Sequence, residues 1–75
     1  MQAAIWYYEI RPNSGRTMDE VLKTLEGAGI PQGTPSSEDY LCLGLKGSDN
    51  WNLQRLEEAL VKPGLATVQR PPSGP

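Results

Sequence analysis

Hydrophobic and polar residues at the start of the chain follow the pattern of a β-strand. Residues 3–10 are rich in β-branched and aromatic side chains, which fit a pleated, half-buried surface. Alternation divides this stretch into two faces: Ala4, Trp6, Tyr8 and Ile10 on one, and Ala3, Ile5, Tyr7 and Glu9 on the other. Because both faces are largely apolar, we expect a central strand with the Trp6 face buried. The reverse orientation, with Trp6 and Tyr8 outward, fits the same pattern.

The next apolar pattern has the period of a helix. Thr17 and Glu20 have the spacing of a capping box, in which a hydroxyl and a carboxylate satisfy the first free amides of a helix. Apolar residues then recur on a single stripe: Met18, Val21, Leu22, Leu25 and Ala28. Gly27 and Gly29 are expected to end this helix.

Strict alternation returns in residues 39–46 and predicts a second strand. Leu41, Leu43 and Leu45 are expected to face the core, while Tyr40 and Cys42 point to the opposite side. The preceding segment, residues 30–38, has two prolines and no periodicity. It is therefore either a loop or a short edge strand that proline protects from further pairing.

The last third of the chain predicts one more helix and one more strand. The helix spans about residues 51–61, with an inward stripe of Leu53, Leu56 and Leu60 and possible caps in residues 47–50. Residues 65–69 form a short final strand. Residues 1–70 thus make one compact domain, and residues 71–75, rich in proline and glycine, are expected to form a flexible tail.

This order of elements predicts an α+β fold. Short connections and right-handed crossovers favour a ferredoxin-like two-layer plait. Its sheet is mainly antiparallel with three or four strands, depending on residues 30–38, and both helices cover one face. The first strand and the strand 39–46 are expected to lie side by side at the centre.

Composition limits the chemistry that the chain can perform. With no histidine and a single cysteine, Cys42, it lacks an intrachain disulfide and any metal site rich in cysteine or histidine. No histidine can activate Cys42 as a nucleophile, so we expect a protein that is not an enzyme and needs no cofactor. Because no targeting signal or spanning segment is visible, we expect a soluble cytoplasmic protein.

Charge is small overall but unevenly distributed. The formal net charge is −2, which argues against nonspecific binding to phosphates. Residues 17–39 form an acidic flank with five carboxylates against a single lysine: Asp19, Glu20, Glu26, Glu38 and Asp39. The turn at residues 13–17 could hold an anion, although it lacks the lysine and glycine spacing of a phosphate loop, and an ordinary turn with a cap is the better interpretation.

The uncovered face of the predicted sheet is the strongest candidate for a binding site. It carries Ile5, Tyr7, Tyr40 and Cys42, and an apolar, aromatic patch of this kind is typical of an interaction surface. Plait folds also bind RNA on this face, but residues 40–46 lack the glycine–aromatic pattern of an RNA-recognition motif. Alternatively, the tail or a loop covers the patch.

In overall character the chain resembles the small phage-borne inhibitors that act against host defences, including anti-CRISPR proteins. The similarity lies in its short length, acidity, lack of catalytic residues and single compact α/β unit. The resemblance implies inhibition by occlusion, in which a small protein covers a surface of a larger nucleic-acid-handling complex. The acidic flank would suit the basic groove of such a complex, because complementary charge steers association.

Two functional hypotheses follow. The first is a non-enzymatic protein-binding inhibitor, with a protein partner and no direct contact to nucleic acid or membrane. The second is a small homodimeric regulatory or ligand-sensing domain that pairs through its uncovered sheet face. The candidate partner-binding residues are the two tyrosines, Tyr7 and Tyr40, and the carboxylates Asp19, Glu20, Glu26, Glu38 and Asp39.

Overall fold

A computed structural model describes residues 5–70 of the chain. Its elements, in order, are β1 (Ile5–Pro12), α1 (Met18–Gly27), β2 (Leu41–Lys46), α2 (Asp49–Leu56) and β3 (Ala66–Gln69), with a π-helical turn at Glu57–Val61 that continues α2. The protein is therefore an α+β fold. The tail predicted at residues 71–75 lies outside the described residues.

The three strands form one antiparallel sheet in the order β2-β1-β3. β1 is central, as its two apolar faces predict, and it lies beside β2 with Tyr8 opposite Leu43. Among the described residues β2 is an edge strand, so the expectation that both strands lie at the centre holds only for β1. Within the described residues, segment 30–38 contributes only an isolated bridge between Ser37 and Tyr40. It is thus a loop rather than an edge strand, because Pro31 and Pro35 cannot donate backbone hydrogen bonds.

One face of the sheet packs against both helices to form the core. Tyr8 and Ile10 of β1 and Leu41, Leu43 and Leu45 of β2 are all buried there. The core also contains residues from both helical segments: Met18, Val21, Leu25, Leu56 and Leu60. The predicted orientation of β1 is confirmed for Tyr8 and Ile10, and the reverse orientation is wrong. Trp6 was expected to be buried with them but is 36% exposed, because it lies near the end of the sheet where the helices cover it only in part.

The first helix begins at the predicted capping box. The Thr17 hydroxyl accepts a hydrogen bond from the Glu20 amide at 3.2 Å, and the Thr17 amide donates to the Glu20 carboxylate at 3.0 Å. Gly27 is the last helical residue, and Gly29, with φ of 74°, redirects the chain. Ala28 was expected on the inward stripe but is exposed, since it lies beyond the last turn.

The second helix begins two residues before the predicted start. Ser48 is its N-cap and accepts a hydrogen bond from the Trp51 amide, so Asp49 becomes the first helical residue. Asn52 is buried, although nothing in the apolar pattern indicates it. Its side-chain amide donates to the Lys46 carbonyl at 3.3 Å and so joins the helix to the end of β2.

We expect the capping box to make part of the stability pH-dependent. The Thr17 backbone amide, and then Arg16, lower the pKa of Glu20 below its ordinary value of 4.5. Carboxylate stabilisation of this kind is present above the unfolded-state pKa and is lost as the pH falls through the folded-state pKa. Urea unfolding should show wild type more stable than Glu20→Gln at neutral pH, and the difference should shrink below pH 4.5.

Thr24→Ala is the control for this measurement, because it removes a hydroxyl from the middle of the same helix and leaves the capping box intact. Its effect on stability should not change with pH. A difference between wild type and Glu20→Gln that persists undiminished at low pH would contradict the role assigned to the carboxylate.

Candidate functional site: the open sheet face

The face of the sheet opposite the helices carries the side chains that alternate with the core residues. We call this surface the open face; it consists of Ile5, Tyr7, Glu9 and Arg11 of β1, Cys42, Gly44 and Lys46 of β2, Tyr40 before β2, and Thr67 and Gln69 of β3. Ile5 and Tyr7 are 49% and 54% exposed. Large apolar side chains on this surface have the composition of a contact patch.

Tyr7 is seated on the backbone of β2. It pairs with Gly44, and a Cβ atom built on Gly44 would lie only 3.0 Å from Tyr7 Cε1 and 3.4 Å from Ile5 Cγ2. Because Gly44 has no side chain, the side chains of Tyr7 and Ile5 fill the space above it. Because its ring edge rests against the strand, Tyr7 is positioned for binding before a partner arrives, which reduces the entropy cost of ordering it.

Tyr40 lies at the other end of the open face, in a charged setting. The Arg11 guanidinium lies 5.0 Å from the centre of the Tyr40 ring, and Arg11 Nη2 is 3.8 Å from Glu9 Oε1. Desolvation raises the pKa of Tyr40, and the Glu9 carboxylate and Cys42 raise it further. The Tyr40 hydroxyl therefore remains protonated at neutral pH and can donate a hydrogen bond.

The predicted acidic flank does not form one surface. Asp19, Glu38 and Asp39 line a groove of about 460 Å³ at the start of α1, together with Arg16, Thr17 and Met18. We call this the acidic groove. Because Asp39 directly precedes Tyr40, the acidic groove adjoins one end of the open face.

The other two predicted carboxylates lie elsewhere. Glu20 is held by the capping box and by Arg16, whose Nη1 lies 3.2 Å from Glu20 Oε2. It lines a second groove, of about 380 Å³, with Lys23 and Leu65. Glu26 is exposed on the last turn of α1. Glu20 follows Asp19 by one residue and so points to a different side of α1, while Glu26 lies about two helical turns further along. Neither residue therefore lines the acidic groove, although all five carboxylates are close in sequence.

A second cluster, which the sequence reasoning missed, joins β1 to the start of α2. The hydroxyl of the buried Tyr8 donates to Asp49 Oδ1 at 2.7 Å, and Arg70 forms an ion pair with the same carboxylate. The Arg70 guanidinium also lies 5.4 Å from the Trp6 ring, whose Nε1 donates to the Gly47 carbonyl at 2.9 Å. The Tyr8 hydroxyl, the Asp49 carboxylate and the Trp6 indole N–H all have partners within the fold, which indicates a structural role for the cluster.

Residues 5–70 contain no group of three or more side chains placed to hold a metal ion. This part of the chain also contains no helix with the length and hydrophobicity needed to cross a membrane.

The fold and the open face define a small α+β protein with an exposed aromatic patch. The chain matches no protein-family model, and comparisons with curated proteins and with solved structures give no significant match either. The residues of this chain therefore carry the functional argument alone.

Proposed function

We propose that this protein is a non-enzymatic protein-binding module whose contact surface is the open face. In this proposal it acts in the cytoplasm as an inhibitor of the phage-borne, anti-CRISPR type, occluding a surface of a nucleic-acid-handling host defence complex such as a CRISPR effector. One observation carries the proposal: Ile5 and Tyr7, both about half exposed, lie on the side of the sheet that neither helix covers. The strand order β2-β1-β3 supports a three-stranded ferredoxin-like plait as the scaffold.

The open face favours a protein partner over a nucleic acid. Binding of single strands needs accessible aromatic rings for base stacking and a surplus of positive charge. Arg11 already lies over the Tyr40 ring, and Tyr7 rests against Gly44, so both rings have part of their surface engaged. The net charge of −2 also opposes phosphate binding.

The acidic groove supplies the electrostatic part of the proposal. Three carboxylates around one groove, close to Tyr40, would attract a basic surface of the kind that handles nucleic acid. In this arrangement Tyr7 and Tyr40 contribute most of the affinity, while Asp19, Glu38 and Asp39 accelerate encounter. Buried aromatic anchors typically contribute about 2 kcal/mol or more each to binding.

We expect Tyr7→Ala and Tyr40→Ala to weaken partner binding while leaving the melting temperature nearly unchanged. Asp19→Lys, Glu38→Lys and Asp39→Lys should instead slow association, and added salt should have the same effect on wild type. The partner is first isolated by co-purification of the tagged protein from host cells. Purified CRISPR effectors then serve as the defined probe in binding and DNA-cleavage assays.

Gln54→Ala, at an exposed site on α2 away from the open face, is the matched control and should bind normally. Normal binding by both tyrosine variants would refute the open face as the contact surface. Absence of any inhibition across the panel of CRISPR effectors would refute that choice of target but leave the binding surface to be tested on the co-purified partner.

The second candidate is a homodimeric regulatory or ligand-sensing domain that pairs through its open face. The neighbouring charges of Glu9 and Arg11 favour it, since a two-fold axis could bring each Arg11 close to the partner copy's Glu9. Light scattering separates the candidates, because a dimer that Tyr7→Ala dissociates would support the second.

A further inference from the structure

The outer surface of α2 carries an exposed tryptophan that its fold does not bury. Trp51 is 56% exposed, more than any other large hydrophobic side chain in the described residues. Its ring is nevertheless fixed in place: the Arg55 guanidinium stacks on it at 4.6 Å, and Arg55 Nη2 donates to the Ala28 carbonyl at 3.2 Å. An aromatic side chain held rigid at the surface resembles a preorganised contact residue.

A groove lies on the other side of the same arginine. It has a volume of about 280 Å³ and is lined by Ala28, Ile30, Arg55, Glu58 and Ala59. Sites for drug-sized ligands usually have about 300–1,000 Å³, so this smaller, open groove is better matched to a single inserted side chain. Trp51 does not line it, although both share Arg55.

Trp51, which protrudes from α2, and the groove lie at equal distances on either side of Arg55 along the helix. Trp51 precedes Arg55 by four residues and Ala59 follows it by four, so the three positions lie along one side of the helix. A two-fold axis beside Arg55 would therefore bring Trp51 of each copy opposite Ala59 of the other. The π-helical turn Glu57–Val61, a feature often found at functional sites, supplies both Glu58 and Ala59 to the groove.

Charge is also complementary in this arrangement. The axis brings two Arg55 side chains together, but each groove also contributes Glu58 within about one helical turn of the facing guanidinium. Opposite charges thus balance across the contact. We propose that the outer face of α2 is a self-association surface, in which Trp51 of one copy inserts into the Ala28–Ile30–Ala59 groove of a second copy.

This inference is independent of the proposed function, because α2 and the open face lie on opposite sides of the sheet. A dimer formed through α2 would leave both open faces free, so that each dimer could engage two partner surfaces and gain affinity by avidity. The contact is small, since it involves one helix face per copy, and we therefore expect a weak dimer.

Sedimentation equilibrium of the full chain from micromolar to millimolar concentration tests the proposal. Wild type should move toward twice the monomer mass, and Trp51→Ala should raise the dimer dissociation constant at least tenfold. Ala59→Phe, which fills the groove, should have a similar effect. Val61→Ala, an exposed apolar position outside the groove, is the control and should dimerise normally.

Circular dichroism verifies that each variant is folded. A wild-type protein that stays monomeric at all concentrations would overturn the proposal. So would a dimer that survives Trp51→Ala but is dissociated by Tyr7→Ala, because that result places the contact on the open face. Glu58→Arg leaves Arg55 stacked on Trp51 but places a like charge near the facing guanidinium, so it should also weaken dimerisation. A dimer that Glu58→Arg leaves unchanged would contradict the proposed contact.

Discussion

Leu43→Ala should lower the free energy of unfolding by about 2–5 kcal/mol, because it removes buried methyl groups and leaves a cavity. Leu43 is only 1% exposed, lies opposite Tyr8 in the register of β1 and β2, and belongs to the single core. A small domain has about 5–15 kcal/mol of stability or less, so this one substitution could unfold much of the population. Urea denaturation followed by circular dichroism measures the loss.

Cys42→Ser is the matched control for Leu43→Ala. Cys42 is the preceding residue of β2 but points to the open face, where it is exposed. Its replacement should change stability by about 0.5 kcal/mol or less, as is usual for surface substitutions. Equal losses from the two variants would mean that the alternation of β2, and with it the position of the open face, is wrong.

Asp49→Ala should cost about 1–3 kcal/mol, because it removes the carboxylate acceptor of the buried Tyr8 hydroxyl and leaves only the Asp49 backbone carbonyl, at a long 3.5 Å. The paired Arg70 side chain is 52% exposed, so solvent screens its ion pair and the loss of that pair adds little. Most of the effect should therefore come from Tyr8. Thermal and urea unfolding of the variant at neutral pH provide the measurement.

A double-mutant cycle isolates the contribution of this hydrogen bond. In the Asp49→Ala background, Tyr8→Phe should cost nothing or restore stability, because it removes the unsatisfied hydroxyl together with its lost acceptor. Asp49→Asn keeps an oxygen acceptor and should be milder than Asp49→Ala. Additive effects of Tyr8→Phe and Asp49→Ala would show that the two groups do not interact in solution.

The sequence predicts the parts of the fold that depend on local patterns. The alternation of Leu41, Leu43 and Leu45 gives the orientation of β2, and the spacing of Thr17 and Glu20 gives the start of α1. These signals involve residues that are neighbours in the chain, so their physical consequences do not depend on the remaining structure.

The contacts that the sequence does not predict join distant parts of the chain. Tyr8 and Asp49 are 41 positions apart, and Arg11 reaches Tyr40 only because β1 and β2 are paired. The acidic groove likewise depends on the path of loop 30–38, which has no periodicity. Charge counting groups the five carboxylates of residues 17–39, but helix geometry and loop path bring only Asp19, Glu38 and Asp39 to one groove.

The central position of β1 has a consequence for how the chain folds. Ile5 pairs with Lys46 and Pro12 pairs with Ala66, so the first strand finds its neighbours only after two long chain segments have closed. Contacts between distant residues slow folding. Until β2 and β3 arrive, the most aromatic stretch of the chain has both backbone edges unpaired and is vulnerable to aggregation. Pairing of β1 with its two neighbours is therefore the step at which aggregation competes most strongly with folding, and dilution of the unfolded chain should raise the refolding yield.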